Sequence, residues 1–210
     1  CDNQNHRIRK INIATREVTT ITTSNVSQPH ALVITKDDRY LYVGIGDPKL
    51  RKIDLSDNSV TTIDTYPWPG GTHPYPSAID PNGEYIYMTG RFYEAHIYRL
   101  KVADDTITLF AGNGNGNSGT VGALLSTEFS YPGENRIFID NNFNVLISEN
   151  DNNRILKIAS TGGSRNIIDF AGNAVESFTH NFDDIKPTHT TTEIVSGSGS
   201  GLGRGSGSGC

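Results

Sequence analysis

A short basic motif recurs along this chain, and a sequence that repeats itself in this way is expected to fold as repeated units. The stretch Asn5–Ile11 (N-H-R-I-R-K-I) returns at Asn152–Ile158 as N-N-R-I-L-K-I. Two shorter copies lie between them, at Leu50–Ile53 and at Ile97–Leu100. Each copy is followed by a turn and by a run rich in threonine or isoleucine, and β-branched residues at this density favour strands. Helical spacing of apolar residues is absent throughout.

A second pair of predicted strands precedes each of the last three copies. The pairs share short connectors rich in Asp, Asn and Gly, which are the residues of tight turns between antiparallel strands. They occupy Ala31–Val43, Ser77–Met88 and Arg136–Ile147. A full unit is therefore four short antiparallel strands repeating at about 45 residues, which is typical of one blade of a β-propeller.

The repeated motifs resemble those of the NHL-repeat β-propeller family. The N-x-R-I core of that family is matched at Asn5–Ile8 and at Asn152–Ile155, and its glycine-rich connector is matched from Ala111–Gly116 to Phe129 and Pro132. The middle units, 37–43 and 81–87, are similar to the related YVTN type. The resemblance covers residues 2 to about 172. It implies a fold, and it says little about activity.

The predicted fold is therefore all-β, a partial or small propeller of four-stranded antiparallel blades with a flexible tail. We expect a half-blade at 2–22, blades at about 31–64, 77–110 and 135–170, a closing strand at about 188–195, and a Gly/Ser-rich linker or tail at 196–210. Three arrangements are compatible with this count. The chain is a segment of a longer propeller, or the closing strand completes the half-blade in a small ring, or another chain supplies the missing strands.

Composition excludes several classes of protein. The net charge is −5 and the basic residues are scattered, so the usual basic surface of a nucleic-acid binder is missing. No run of 18 apolar residues occurs, so no membrane-spanning segment is predicted. The sequence has no initiator Met and no signal peptide, which suggests a mature, processed or excised fragment.

The two cysteines, Cys1 and Cys210, are the first and last residues. Either they form a disulfide between the termini, which requires an oxidising compartment, or one or both were introduced by design or mark a cut point in a longer protein. Asn25-Val26-Ser27 is one glycosylation sequon. It is compatible with a secreted or cell-surface location, and we predict that location.

Two histidines suggest a metal site, but their set is incomplete. His30 and His73 precede the inner strands of adjacent blades at roughly equivalent positions, and converging imidazoles suit a transition metal. The arrangement resembles that of peptidyl-hydroxyglycine amidating lyases, propellers with an axial zinc bound by three histidines. The third blade has Glu134 at the corresponding place. We therefore predict no metal, no cofactor and no catalytic residue.

Carboxylates suggest a second kind of metal site. Asp80, Asp140 and Glu149 resemble the calcium ligands of gluconolactonase-type propellers, yet the acidic residues show no calcium-loop spacing. Asp37, Asp80 and Asp140 fall in turns, where hydrogen bonds to the backbone explain an aspartate without a metal.

Aromatic residues form the most distinctive candidate site. Trp68 and Tyr75 belong to the stiff loop 66–75, and Arg91–Tyr93 lie on a neighbouring turn of the same blade. Amphipathic side chains of this kind suit contact with a protein or a glycan, although Trp68 and Phe92 are also suited to packing between blades. The predicted binding residues are His30, Trp68, His73, Tyr75, Arg91, Phe92 and Tyr93.

The leading functional hypothesis is a non-catalytic module that binds protein or glycan through its loops. Two alternatives belong to other classes. One is a propeller hydrolase or lyase with an axial metal, and the other is a structural subunit that self-associates through open blade edges.

Overall fold

The computed structural model describes residues 1–22, 25–64, 73–90, 95–114, 121–129, 136–149, 152–160 and 167–172. Every regular element within these residues is a β-strand. The strands are β1 (Ile8–Ile11), β2 (Val18–Thr22), β3 (Ala31–Ile34), β4 (Tyr40–Gly44), β5 (Lys49–Asp54), β6 (Val60–Asp64), β7 (Pro74–Ile79), β8 (Tyr85–Gly90), β9 (Ile97–Lys101), β10 (Thr106–Ala111), β11 (Arg136–Ile139), β12 (Val145–Glu149), β13 (Arg154–Ile158) and β14 (Ile167–Gly172).

Each sheet is an antiparallel meander in which neighbours in sequence are neighbours in space. Strands β3–β6, β7–β10 and β11–β14 form three four-stranded sheets, and β1 pairs with β2 in a two-stranded sheet. The predicted all-β fold, made of four-stranded propeller blades, is confirmed. The second blade begins at Pro74, a little earlier than the start at about 77 that the sequence predicts.

The apolar core lies between the blades. One cluster joins the half-blade to the first blade through Ile8, Val43 and Ile53. A second joins the first and second blades, and a third joins the second and third blades. Burying each large aliphatic or aromatic side chain contributes about 1.5–3 kcal/mol, so the contacts between blades are the main source of stability.

The recurring motif has the same backbone shape in its first and last copies. His6 and Asn153 occupy matching positions in these copies, and both adopt the left-handed conformation, with φ of 54° and 49°. The strand pairing then shifts register at Ile8/Arg9 in one copy and at Ile155/Leu156 in the other. The sequence repeat is therefore also a repeat of turn and bulge geometry.

The predicted closing strand at 188–195, the tail at 196–210 and Cys210 lie outside the described residues. Cys1 is exposed and is not part of a disulfide within the described part of the chain. On the half-blade ribbon, Ile11 and Ile13 are 63% and 91% exposed. Two apolar side chains are thus left in solvent beside a two-stranded ribbon, which is a marginal structure by itself.

A charged contact also joins the first two blades. The Lys52 ammonium on β5 lies 2.9 Å from Asp105 Oδ2 in the β9–β10 turn, and the Tyr42 hydroxyl donates to Asp105 Oδ1 at 2.5 Å. Burial and the hydrogen bond to Asp105 raise the pKa of Tyr42, so this phenol stays protonated. The second blade therefore supplies the carboxylate that neutralises a cation on the first.

Hairpin aspartates should make the fold sensitive to acid. The pKa of Asp54 is lowered by hydrogen bonds from Ser56, and that of Asp104 is lowered by hydrogen bonds from Thr106. A lowered folded-state pKa stabilises the protein above the ordinary value near 3.8, and this contribution disappears as the pH falls through the folded-state pKa.

We expect the thermal midpoint to fall steadily as the pH is lowered from about 5 to about 2.5. Circular dichroism melts at several pH values measure it. The Asp54→Asn variant should lose less of its midpoint over this range than the unmodified protein. An identical acid dependence in the two proteins would contradict this assignment of the stabilising group.

Candidate functional site

The candidate site lies where the chain enters its inner strands. β7 contacts both β3 and β11, so these three strands are adjacent and form the inner edge of the array. His30, His73 and Tyr75 lie at or just before the first residues of the inner strands. Because the strands alternate in direction, this end of the blades also carries the β4–β5 loop and the connectors between blades. We call these three residues the histidine cluster. The β3–β4, β5–β6 and equivalent hairpins lie at the opposite end.

The structure brings the three members of the histidine cluster together. The ring of Tyr75 meets that of His30 edge to face, with centroids 4.3 Å apart. The imidazoles of His30 and His73 are tilted by 58°, with centroids 6.3 Å apart. All three side chains are partly buried, and His30 Nε2 and His73 Nδ1 are among their buried polar atoms.

A glycine on β4 allows this strand to come close to β7, the inner strand of the next blade. A Cβ atom added at Gly44 would lie only 2.1 Å from the carbonyl oxygen of Pro74, which is the first residue of β7. The His30 backbone N–H donates to Gly44 O at 3.0 Å, which places His30 beside this close approach. Backbones can come this near only where a side chain is missing. Gly44 therefore allows the contact between His30 and Tyr75.

The connector before β3 is held in place by side chains from two blades. The Gln28 N–H donates to His6 Nδ1 at 3.0 Å, and the Gln28 carbonyl lies 3.3 Å from His30 Nδ1. Arg51 donates from Nε to Asn25 O at 2.9 Å and pairs with Asp47 at 2.8 Å. These contacts fix the backbone leading into His30, so the histidine cluster is preorganised.

The remaining predicted binding residues lie outside the described part of the chain. They are Trp68, Arg91, Phe92 and Tyr93, and for these four the aromatic surface stays a prediction. The strand register also shows that His30 and His73 are offset, because the partner of Gly44 is Ala31 whereas the partner of Thr89 is Tyr75. His30 thus lies one position before Ala31, whereas His73 lies two positions before Tyr75, the residue at the equivalent register position.

Two further histidines, His6 and His96, occupy the same end of the blades. His96 packs near Tyr98 and against Gly114, where an added Cβ would lie 2.7 Å from its ring. Sequence analysis did not single them out, although both flank copies of the recurring motif. That position, at the loop between the second and third strands of a blade, is the signal that would have identified them.

The hairpin aspartates accept hydrogen bonds from the protein's own backbone. Asp80 Oδ1 accepts from the Glu84 N–H at 2.8 Å, and Asp140 Oδ1 accepts from the N–H groups of Asn142 and Asn144 at 2.9 and 2.8 Å. The predicted capping role of these aspartates is confirmed. Across the described ranges, no three His, Cys, Asp or Glu side chains are grouped so that they could hold a metal ion.

Glu149 forms a buried ion pair rather than an open ligand site. Its carboxylate accepts from Arg154 Nε on the adjoining strand and from Asn152 Nδ2 at 3.3 Å. The side chains of Glu149 and Arg154 are 0% and 5% exposed. The Asn and Arg of the recurring motif therefore serve a structural purpose in this copy, since both bind the same carboxylate.

Comparison with solved structures places the chain among propellers. A protein of unknown function from Bacteroides thetaiotaomicron VPI-5482 matches with a TM-score of 0.64 and 16% identity, over 80% of this chain and 45% of that one. Virginiamycin B lyase from Staphylococcus aureus matches with a TM-score of 0.54 and 20% identity, over 80% and 49%. Regucalcin from Agrobacterium tumefaciens, a calcium-binding protein, matches with a TM-score of 0.51 and 12% identity, over 76% and 48%.

These likenesses show the fold alone, because all three identities are low. The chain spans about half the length of the solved structures it matches. No protein-family model matches the sequence, and no curated protein is similar to it. The described part of the chain also holds no helix of the length and apolarity needed to cross a membrane.

Proposed function

We propose that this chain is part of a non-catalytic propeller that binds a protein or a glycan through the histidine cluster. The observation that carries this proposal is the preorganised contact of His30 with Tyr75, at 4.3 Å between ring centroids. Rigid rings with polar edges bind a partner with little loss of side-chain entropy, and they suit both peptide and sugar surfaces. The predicted loop residues Trp68, Arg91, Phe92 and Tyr93 would extend this surface.

We further propose that the blades are NHL-type repeats, with YVTN-like middle units. The shared left-handed residue and the shared register shift in the copies at Asn5–Ile8 and Asn152–Ile155 support a common repeat. A secreted or cell-surface location is proposed on the sequon at Asn25. Asn25 and Ser27 are both exposed, as a glycosylated asparagine and its recognition residue require.

A glycan array tests the binding proposal. The unmodified chain should bind a defined subset of glycans, and the double variant His30→Ala, Tyr75→Ala should bind them at least about tenfold more weakly, as expected for central interface residues. The control is Asp57→Asn, an exposed change in the β5–β6 turn at the opposite end of the blades. The thermal midpoint of each variant reports whether it is folded.

The same samples separate the proposal from its rivals. Equal binding by the double variant and the control would contradict a role for the histidine cluster. One tightly held metal ion per chain, lost in His30→Ala and His73→Ala, would instead favour a hydrolase or lyase. Concentration-dependent oligomers that persist in all variants would favour a structural subunit assembled through blade edges.

A further inference from the structure

A cavity of about 460 Å³ lies between the second and third blades, at the end opposite the histidine cluster. From the second blade it is lined by Asp80, Tyr85, Arg99 and Phe110, and from the third blade by Phe143 and Ser160, among others. A volume of this size is within the ordinary range for small-molecule sites. The cavity is separate from the proposed binding surface, so the inference below does not depend on that proposal.

Among the lining side chains that the structure describes, Arg99 is the one basic residue. Its guanidinium lies over the ring of Tyr85, 4.6 Å from the centroid, and near that of Phe110 at 5.6 Å. The Nε atom is buried, and it has no hydrogen-bond partner among the described residues. A buried donor without an acceptor is costly, and the guanidinium that carries it forms part of the cavity wall.

The neighbouring interface shows what normally satisfies this position. Strand pairing makes Lys52 and Arg99 equivalent, since Lys52 is opposite Tyr42 and Arg99 is opposite Tyr87. Lys52 also lies over tyrosine rings, and its ammonium is paired with Asp105 of the next blade at 2.9 Å. A cation between aromatic rings is therefore neutralised by a carboxylate from the following blade.

The third blade has no carboxylate to offer at the corresponding turn. Asp105 belongs to the turn between β9 and β10, and its counterpart is the turn between β13 and β14, residues 159–166. That turn reads A-S-T-G-G-S-R-N and contains no acidic residue. Its first two residues, Ala159 and Ser160, line the cavity. The sequence of this turn therefore offers no counterpart of Asp105.

Phe143 occupies a backbone position that a phenylalanine rarely adopts. Its φ is +62°, and the matching hairpin positions in the other two blades are Asp38 at +56° and Gly83 at +76°. Glycine and aspartate are the residues usually found in the left-handed region, whereas a bulky side chain there is strained. Phe143 is 38% exposed and lines the cavity. Strain at a ligand-facing residue is a recognised mark of functional sites.

We propose that this cavity binds a small molecule that carries a carboxylate next to a flat apolar group. The carboxylate takes the place that Asp105 fills in the first interface, and it accepts from the guanidinium of Arg99, an interaction that guanidinium groups favour. The flat group packs on Phe143. Two acidic residues, Asp80 and Glu84, also line the cavity. Asp80 Oδ1 accepts from the Glu84 N–H as part of the hairpin.

Phenylacetate is the first probe, with 2-phenylethanol as its uncharged match. Titration calorimetry should show phenylacetate binding at least about tenfold more tightly than 2-phenylethanol, since the alcohol still accepts a hydrogen bond but lacks the negative charge that pairs with the guanidinium. Arg99→Gln should weaken phenylacetate binding by a similar factor. Ser160→Asp, which supplies a carboxylate within the cavity, should abolish it.

Matched variants separate binding from folding. Lys52→Gln, at the equivalent position, should lower the thermal midpoint and leave phenylacetate binding unchanged. Phe143→Gly should weaken binding without lowering the midpoint, because glycine relieves the strained backbone. If Arg99→Gln fails to fold, Arg99→Lys keeps the charge but loses Nε, and it should still bind more weakly. Absence of binding by phenylacetate, benzoate and acetate alike, or equal binding by the Arg99 variants, would overturn the proposal.

Discussion

Replacing Arg154 with methionine is expected to lower the free energy of unfolding by about 3–5 kcal/mol. The variant removes the guanidinium that pairs with the fully buried carboxylate of Glu149, which keeps the 3.3 Å hydrogen bond from Asn152. Breaking such a pair costs far more than replacing both members, because the remaining ion is held away from water. Chemical denaturation followed by circular dichroism measures the loss.

Two further variants distinguish a buried charge from a loss of packing. Arg154→Met combined with Glu149→Leu should recover much of the lost stability, since both charges are then removed. Arg39→Met is the matched control, because Arg39 pairs with Asp54 at 3.3 Å while its side chain is 57% exposed. Its effect should be below about 1 kcal/mol. Similar decreases in the free energy of unfolding in Arg154→Met and Arg39→Met would show that the buried ion pair stabilises the protein no more than the exposed one.

Replacing Gly44 with alanine should destabilise the protein by about 2–3 kcal/mol and disturb the histidine cluster. The new Cβ would lie 2.1 Å from the Pro74 carbonyl and 3.1 Å from Pro76 Cδ, and a backbone atom cannot move aside as a flexible side chain can. β4 and β7 must then separate. The thermal midpoint reports the loss, and the imidazole NMR signals of His30 report the disturbed contact with Tyr75.

Gly122→Ala is the control for this experiment. Its added Cβ would approach only Ser126 Oγ, at an ordinary contact distance of 3.8 Å. We therefore expect a change of less than about 0.5 kcal/mol in that variant, as for surface changes without steric consequence. An equally stable Gly44→Ala protein with unshifted His30 signals would show that the inner strands tolerate a wider spacing.

The two interfaces between complete blades have different chemical roles. In the first, the carboxylate of Asp105 accepts hydrogen bonds from Lys52 and Tyr42, so the charged contact forms within the protein. In the second, Arg99 faces a cavity and the following turn lacks an acid. Repeats that share a backbone can therefore diverge at one position, so that a structural contact in one copy becomes a candidate binding site in the next.

The strands and blades of this protein could be predicted from sequence because their signals are local. Alternating apolar residues, β-branched runs and Asp/Gly turns are each read within a few residues, and several copies agree. The hairpin roles of Asp80 and Asp140 were predictable for the same reason, since their partners lie within four residues. Which residues of the loops bind a partner was not determined in this way.

Only the tertiary structure decided which distant side chains meet. His30 contacts Tyr75 because Gly44 on β4 allows β7 to approach the first blade, and Lys52 meets Asp105 across 53 residues of sequence. Glu149 is suited to calcium by its chemistry, yet packing places it against Arg154 and away from solvent. Periodicity specifies which face of a strand is buried, whereas the pairing of side chains between blades depends on spacing and register that no local pattern records.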